Sequence, residues 1–265
     1  MKERSYDQYL RRKGVKLESR INESVPFCWM CAANSGNRAR EHIFPLWLQK
    51  ELGAEKEMWT PTHASVFGDA LNARGPHPTT ALFAGEICAE CNGGWMSDLE
   101  GRFRDVMFPR RPIITESDAK VMAHWLAKTA IVLNTAQNYR LVFPREARHA
   151  VQKGVPPRVA IFLGQMPNRS TRLNFGQCQG TVISVVGPDI QEKARELLKS
   201  AYCCVIQIDD IVAAVVYVPS GAWARPWVEM TQLHPWLGEE VRWESLPLIS
   251  DVTEPFLLYA GHPDL

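Results

Sequence analysis

No apolar run in this chain of 265 residues approaches the roughly 18 consecutive residues of a membrane-spanning helix, so no membrane partner is expected. The opening Met1-Lys2-Glu3-Arg4-Ser5-Tyr6-Asp7 has nothing of the apolar core of a secretory signal, and a cytoplasmic setting is expected. Net charge is also scarce: a formal +1 gives no overall attraction to nucleic acid. Past residue 112 there is no glycine-rich phosphate loop, no second set of metal-ligand spacings and no serine-histidine nucleophile pattern. The common nucleotide-binding and acyl-transfer readings are therefore removed from that part of the chain.

What the chain does have is cysteine in a pattern. It holds seven, and a reducing cytoplasm favours metal ligation over disulfides for them. Cys28-Trp29-Met30-Cys31 and Cys88-Ala89-Glu90-Cys91 are two CxxC knuckles. Four thiolates suit a closed tetrahedral zinc site, which folds a small unit but leaves no coordination position for chemistry. Cys178, Cys203 and Cys204 lack such spacing, and the apolar run around Cys203-Cys204 reads as buried core. A purely structural zinc ribbon used for binding stays open as a competing reading of the knuckles.

Between the knuckles stands Arg40-Glu41-His42-Ile43-Phe44-Pro45, and Asn92 follows the last cysteine directly. With the thiolates committed to zinc, chemistry falls to Glu41, His42 and Asn92. A neutral imidazole, with an ordinary pKa near ~6.5, can take a proton from water. A carboxylate and an amide carbonyl can hold a hard cation such as Mg²⁺. Neighbouring residues on a strand point to opposite faces, so a bend or bulge is expected at Glu41-His42 to turn both towards one site.

The combination CxxC…EHIxP…CxxCN resembles the HNH, or ββα-metal, endonuclease family, in particular the members clamped by a four-cysteine zinc, over residues 25–107. In that family an acidic residue and a His end the first strand, a Pro stands three residues after the His, and an Asn directly after the last Cys opens the helix. The resemblance implies that His42 is the general base and that Glu41 and Asn92 hold one catalytic Mg²⁺ or Mn²⁺. It also implies products with a 5′-phosphate and a 3′-hydroxyl. DNA is the expected substrate ahead of RNA, and restriction or anti-phage defence is the role suggested by analogy. Two other classes stay open: an effector subunit activated by a partner ATPase or sensor, and a non-catalytic zinc-binding module for nucleic acid.

The small net charge conceals a gradient. Residues 1–50 carry ten Lys and Arg against five acids, and the rest of the chain is net acidic. Basic charge thus gathers beside the candidate site, where phosphate neutralisation is wanted. Arg11, Arg12, Lys13, Arg38, Arg40 and Arg102 are the candidate nucleic-acid contacts. The first three equally suit a solvated arm that orders on nucleic acid.

The expected fold class is α+β. A basic N-terminal arm or helix (1–24) leads into a zinc-stapled nuclease unit (25–111), and Gly- and Pro-rich residues 54–85 form an inserted loop or hairpin whose His63 and His77 read as structural or surface histidines ahead of extra ligands or phosphate contacts. A C-terminal α+β domain of unassigned role (112–265) follows, with a mostly antiparallel sheet that offers a surface for a partner or a homodimer. Pro45 to Leu52 suit a short helix stopped at Gly53, and Trp95, Leu99, Phe103 and Val106 recur at helical spacing. A helix over 118–138, capped by Ser117, presents Met122, Trp125, Leu126, Thr129 and Leu133 on one face, with His124 and Lys128 pointing to water. Strands are expected over 158–163, 180–186, 202–208 and 211–218, with a helix over 189–199 and a tight turn at Asp209-Asp210. Trp223, Trp227, Trp236 and Trp243 read as core caps rather than base-stacking residues.

Overall fold

The computed structural model describes residues 26–59, 62–64, 76–81, 83–136, 142–167, 169–179, 201–219, 223–226, 228–256 and 258–261. The described residues open with strand β1 (Arg38–His42) and helix α1 (Leu46–Glu51), which stops as expected where Gly53 takes φ 63°; the expected N-terminal arm or helix (1–24) lies outside them. Short strands β2 (Met58–Trp59), β3 (Thr62–Ala64) and β4 (His77–Pro78) lead to β5 (Phe83–Cys88), the antiparallel partner of β1. A single helical turn at Ala89–Cys91 and a π-turn at Asn92–Met96, kinked at Gly94, then feed helix α2 (Ser97–Met107). Its Leu99 and Phe103 are buried, as the spacing predicts; Trp95 and Val106 of the expected stripe are half-buried, and Met107 is buried instead.

After β6 (Ile113–Ile114) comes the central helix α3 (Glu116–Ala136). Its start is fixed by a reciprocal cap at Thr115 rather than Ser117. The Asp118 amide donates to Thr115 Oγ1 at 3.2 Å, and the Thr115 amide donates to Asp118 Oδ2 at 3.1 Å. The expectation that this helix is one-sided fails. Ala119, Ala123, Ala127 and Ala130 keep it thin, and it is buried on nearly every side between α2 and β5 on one hand and strands of the large sheet on the other. Phe103 of α2 stacks on Trp125 of α3 with centroids 4.1 Å apart. His124 and Lys128, expected in water, are therefore drawn inside: Lys128 is fully buried and His124 half-buried.

Helix α4 (Arg145–Ala150) precedes β7 (Val159–Gln165), β8 (Leu173–Gln179), β9 (Tyr202–Ile208), β10 (Ile211–Tyr217), β11 (Trp223–Pro226), β12 (Thr231–His234), β13 (Val241–Arg242) and β14 (Leu258–Gly261). One six-stranded sheet runs β12-β7-β10-β9-β8-β3, antiparallel except for the parallel β3–β8 pair. The β9–β10 hairpin turns at Asp209-Asp210, with Asp209 at φ 55°, a conformation that Asp tolerates. Both strands are buried along their whole length, one set of side chains packing with α3 and the alternate set against the C-terminal residues Val252, Phe256 and Leu258.

Strand β8 was not expected, because Leu173-Asn174-Phe175-Gly176-Gln177 has few β-branched residues. The strand expected over 180–186 and the helix over 189–199 lie outside the described residues. Within the insertion β2 pairs antiparallel with β4, and β3 adds the edge strand of the large sheet. The apolar core likewise continues across residues 111–112, joining Cys28 and Phe103 to Trp125 and Trp243 in one cluster. Cys178, Cys203 and Cys204 are buried as core thiols, and burial pushes the Cys204 thiol up to about 12. Trp243 is buried in the core and Trp236 packs against it. Among the described residues, no helix is long and apolar enough to cross a membrane.

Candidate metal centre and active site

The two knuckles converge because the hairpin and the chain before it are tied together. The Trp29 amide donates to the Glu86 carbonyl at 2.9 Å, which hangs the first knuckle on β5, and Cys88 ends that strand opposite Arg38. The Arg148 guanidinium lies 4.8 Å over the Trp29 ring, and Gln152 Nε2 donates to the Met30 carbonyl, so the segment carrying α4 supports the same knuckle. The sulfurs of Cys28, Cys31, Cys88 and Cys91 all lie within 4.8 Å of one another, with Cys31 and Cys88 at 3.7 Å. A tetrahedral Zn–S₄ site with ~2.3 Å bonds sets its sulfurs ~3.8 Å apart, so this cluster could bind a metal such as zinc with little rearrangement. Backbone amides already point at the sulfurs: Met30 to Cys28, Ala33 to Cys31 and Cys91 to Cys88, each at 3.4 Å. A hydrogen bond from Cys91 is the main cause holding the Cys28 thiol far below its ordinary value, and the same contact pushes Cys91 up.

Along β1 the burial alternates. Arg38 and Arg40 are exposed, Glu41 is buried and His42 is half-buried. The expected bulge exists, but in the partner strand: Ala39 pairs with Ile87 and Glu41 with Ala84, which leaves an extra residue in β5. The pleat of β1 therefore survives, with Arg38, Arg40 and His42 on the outer side and Glu41 turned inward. Glu41 and His42 are not brought to one face by backbone distortion.

Inside, Glu41 meets a partner the sequence did not announce. Lys128 Nζ from α3 lies 2.9 Å from Glu41 Oε1 and 3.1 Å from Glu100 Oε1 of α2. Trp47 Nε1 donates to Glu100 Oε2 at 3.3 Å. Burial works to lower the Lys128 pKa, but the two carboxylates more than offset it and the net direction is up. For Glu100 burial dominates and pushes the carboxyl above its ordinary range, against the pull of Lys128. A signal for Lys128 did exist: it is the only Lys, Arg, Asp or Glu between Lys120 and Ala136 in an otherwise apolar helix. Such a lysine is buried only with a carboxylate beside it.

His42 pairs in register with Phe83, whose exposed ring lies 6.5 Å from the imidazole, edge to face. No described residue hydrogen-bonds to the His42 ring or to the Asn92 side chain, and no hydrogen bond joins Asn92 to Glu41 or His42. The Arg40 guanidinium stacks 4.8 Å over Phe83, and that of Arg38 5.3 Å over Phe27. Among the described residues neither arginine has a carboxylate partner. Arg102 is exposed on α2, whereas Arg104 pairs with Glu51 and Arg110 with Asp210. Arg11, Arg12 and Lys13 lie outside the described residues, as do the side chains of His63 and His77. His124, stacked on Trp95 at 6.1 Å, donates from Nε2 to the Val151 carbonyl at 2.5 Å, so it ties α3 to the helix start beside the cysteines.

The donor set offers a hard cation two oxygens. Glu41 Oε1 is occupied by Lys128, but no described residue donates to Glu41 Oε2, and the Asn92 carboxamide is likewise unclaimed. Both fit an oxygen-preferring divalent ion. No protein-family model, curated protein or solved structure gives a significant match to the chain.

Proposed function

We propose that this chain is a metal-dependent endonuclease of the HNH type, hydrolysing phosphodiester bonds of DNA. The observation that carries the reading is the state of β1. Its last residue, His42, keeps its ring clear of any described hydrogen-bond partner on the face that also bears Arg38 and Arg40, next to a four-cysteine cluster that clamps the hairpin to the Asn92 turn. The four thiolates hold zinc, and that zinc is structural, because a closed Cys₄ site has no open position.

Arg38 and Arg40 grip backbone phosphates. Stacking on Phe27 and Phe83 orients their guanidinium planes while leaving the N–H donors for the ligand. His42 takes a proton from the attacking water as the water oxygen bonds to phosphorus, and the bond to the 3′ oxygen breaks, that oxygen taking a proton from solvent water, to leave a 5′-phosphate and a 3′-hydroxyl. Glu41, reaching from the inner side of β1, and Asn92 would hold a divalent cation, which would supply charge neutralisation of the scissile phosphate and the departing oxygen. Restriction or anti-phage defence is the biological role we infer for such an enzyme.

Cleavage of supercoiled plasmid with Mg²⁺ or Mn²⁺, wild type against His42→Ala, tests the reading. Loss of the general base is expected to lower the rate by ~10²- to 10⁴-fold with zinc content and DNA affinity retained. Equal cutting by the two proteins refutes the assignment of His42. Binding without cutting in both favours the zinc-binding module, and cutting only after a second protein is added favours the partner-activated effector.

A further inference from the structure

Lys128 is the only cation in contact with Glu41 among the described residues, and it comes from a helix remote in sequence from the motif. Its ammonium is 2.9 Å from Glu41 Oε1 and 3.1 Å from Glu100 Oε1, with the side chain only 1% exposed. Glu100 is held on both oxygens, since Trp47 Nε1 reaches its Oε2 at 3.3 Å. Glu41 is held on one. Among the described residues the cluster therefore leaves one oxygen without a donor, Glu41 Oε2, on the residue directly before His42. Two carboxylates against one ammonium also leave the group short of positive charge. Fold stability alone does not account for this arrangement, because apolar side chains of similar volume serve at least as well as a buried ion pair.

We propose that Lys128 is a positioning residue of the active site. It clamps Glu41 through Oε1 so that Oε2 is offered to the divalent cation, while Glu100, itself held by Trp47, holds the lysine in turn. Carboxylates that bind metals are commonly fixed by such partners, and losing one costs ~10- to 100-fold in metal affinity or activity. Helix α3 thereby ties the geometry of the site to the large sheet, on which it packs. The inference rests on the endonuclease reading above.

The test is plasmid cleavage as a function of Mg²⁺ concentration by wild type, Lys128→Arg and the double variant Lys128→Met/Glu100→Gln, which removes one charge of each sign at nearly constant bulk. Zinc content and the thermal midpoint establish that each variant is folded. In the folded double variant kcat is expected to fall and the half-saturating Mg²⁺ concentration to rise, each by ~10- to 100-fold, with KM for DNA unchanged. Lys128→Arg, which keeps charged donors for both carboxylates, is expected to recover most of the rate. If the double variant does not fold, Lys128→Gln, which retains one donor without the charge, carries the same two expectations against wild type. A folded variant with wild-type kcat and wild-type Mg²⁺ dependence makes the cluster purely structural and overturns the inference alone. A wild-type protein that binds DNA and never cuts it overturns the endonuclease reading and this inference with it.

Discussion

Lys128→Met removes the one cation that contacts Glu41 and Glu100 among the described residues. The lysine side chain is 1% exposed, and the carboxylates left behind are 6% exposed at Glu41 and 17% at Glu100. Breaking a buried ion pair from one side costs about 3–5 kcal/mol, most of it the burden of the unpaired charge. The lower end applies here, because burial already pushes the Glu100 carboxyl up and lets it take a proton more easily than a free carboxylate. For a chain of this size each kcal/mol moves the midpoint by roughly 2–4 °C, so a loss of ~3 kcal/mol is a drop of roughly 6–12 °C in Tm. The pH dependence has a definite sign. Burial already raises the Glu100 carboxyl, and losing Lys128 removes the charge that opposes this, so the stability Glu100 withholds is regained as pH falls through its raised folded value towards the ordinary ~4.3. Thermal melts of wild type and variant across this range are the assay. The gap in Tm is expected to be widest near pH ~8 and to narrow on acidification. A variant melting with the wild type near pH ~8, or a gap that widens in acid, refutes the view that Lys128 is held by charge.

Cys28→Ser or Cys91→Ser is expected to yield protein that aggregates or unfolds around the hairpin, since structural thiolate sites contribute ~10 kcal/mol or more; elemental analysis finding a folded wild type without zinc contradicts this. Arg38→Ala with Arg40→Ala should flatten the salt dependence of DNA binding by about 0.9 in log–log slope for each phosphate no longer neutralised, equally for unrelated sequences, and an unchanged slope moves the DNA-binding surface elsewhere. His124 is pushed below its ordinary value mainly by burial, so the folded state disfavours the imidazolium and stability is lost as pH falls below ~6.5. His149 and His234 shift the same way by burial, so His124→Gln should lessen that acid loss without abolishing it. Chemical denaturation at two pH values on either side of ~6.5 reads the difference.

The parts of the molecule legible in the sequence are those written in local spacing. Two CxxC pairs foretold a four-sulfur cluster because each knuckle is set by a single turn of chain, and the cluster closes as soon as β1 and β5 pair. The β9–β10 hairpin was legible from β-branched runs flanking Asp209-Asp210, and α1 from its stop at Gly53. Non-local features were not. A helical face drawn from periodicity assumes one buried side, and α3 has two neighbours, so Lys128 and His124 were assigned to water. Strand β8 exists by pairing with β9 along its whole length rather than by its own propensity, and β3 joins it from more than 100 residues away. Glu41 shows the division most plainly. Its sequence neighbours singled it out as a candidate for a functional carboxylate, but which face of β1 it occupies and which ammonium holds it depended on the pairing with β5 and on the packing of α3. A motif records chemistry within a few residues; the direction and charge of a buried side chain are set by whatever the fold packs against it.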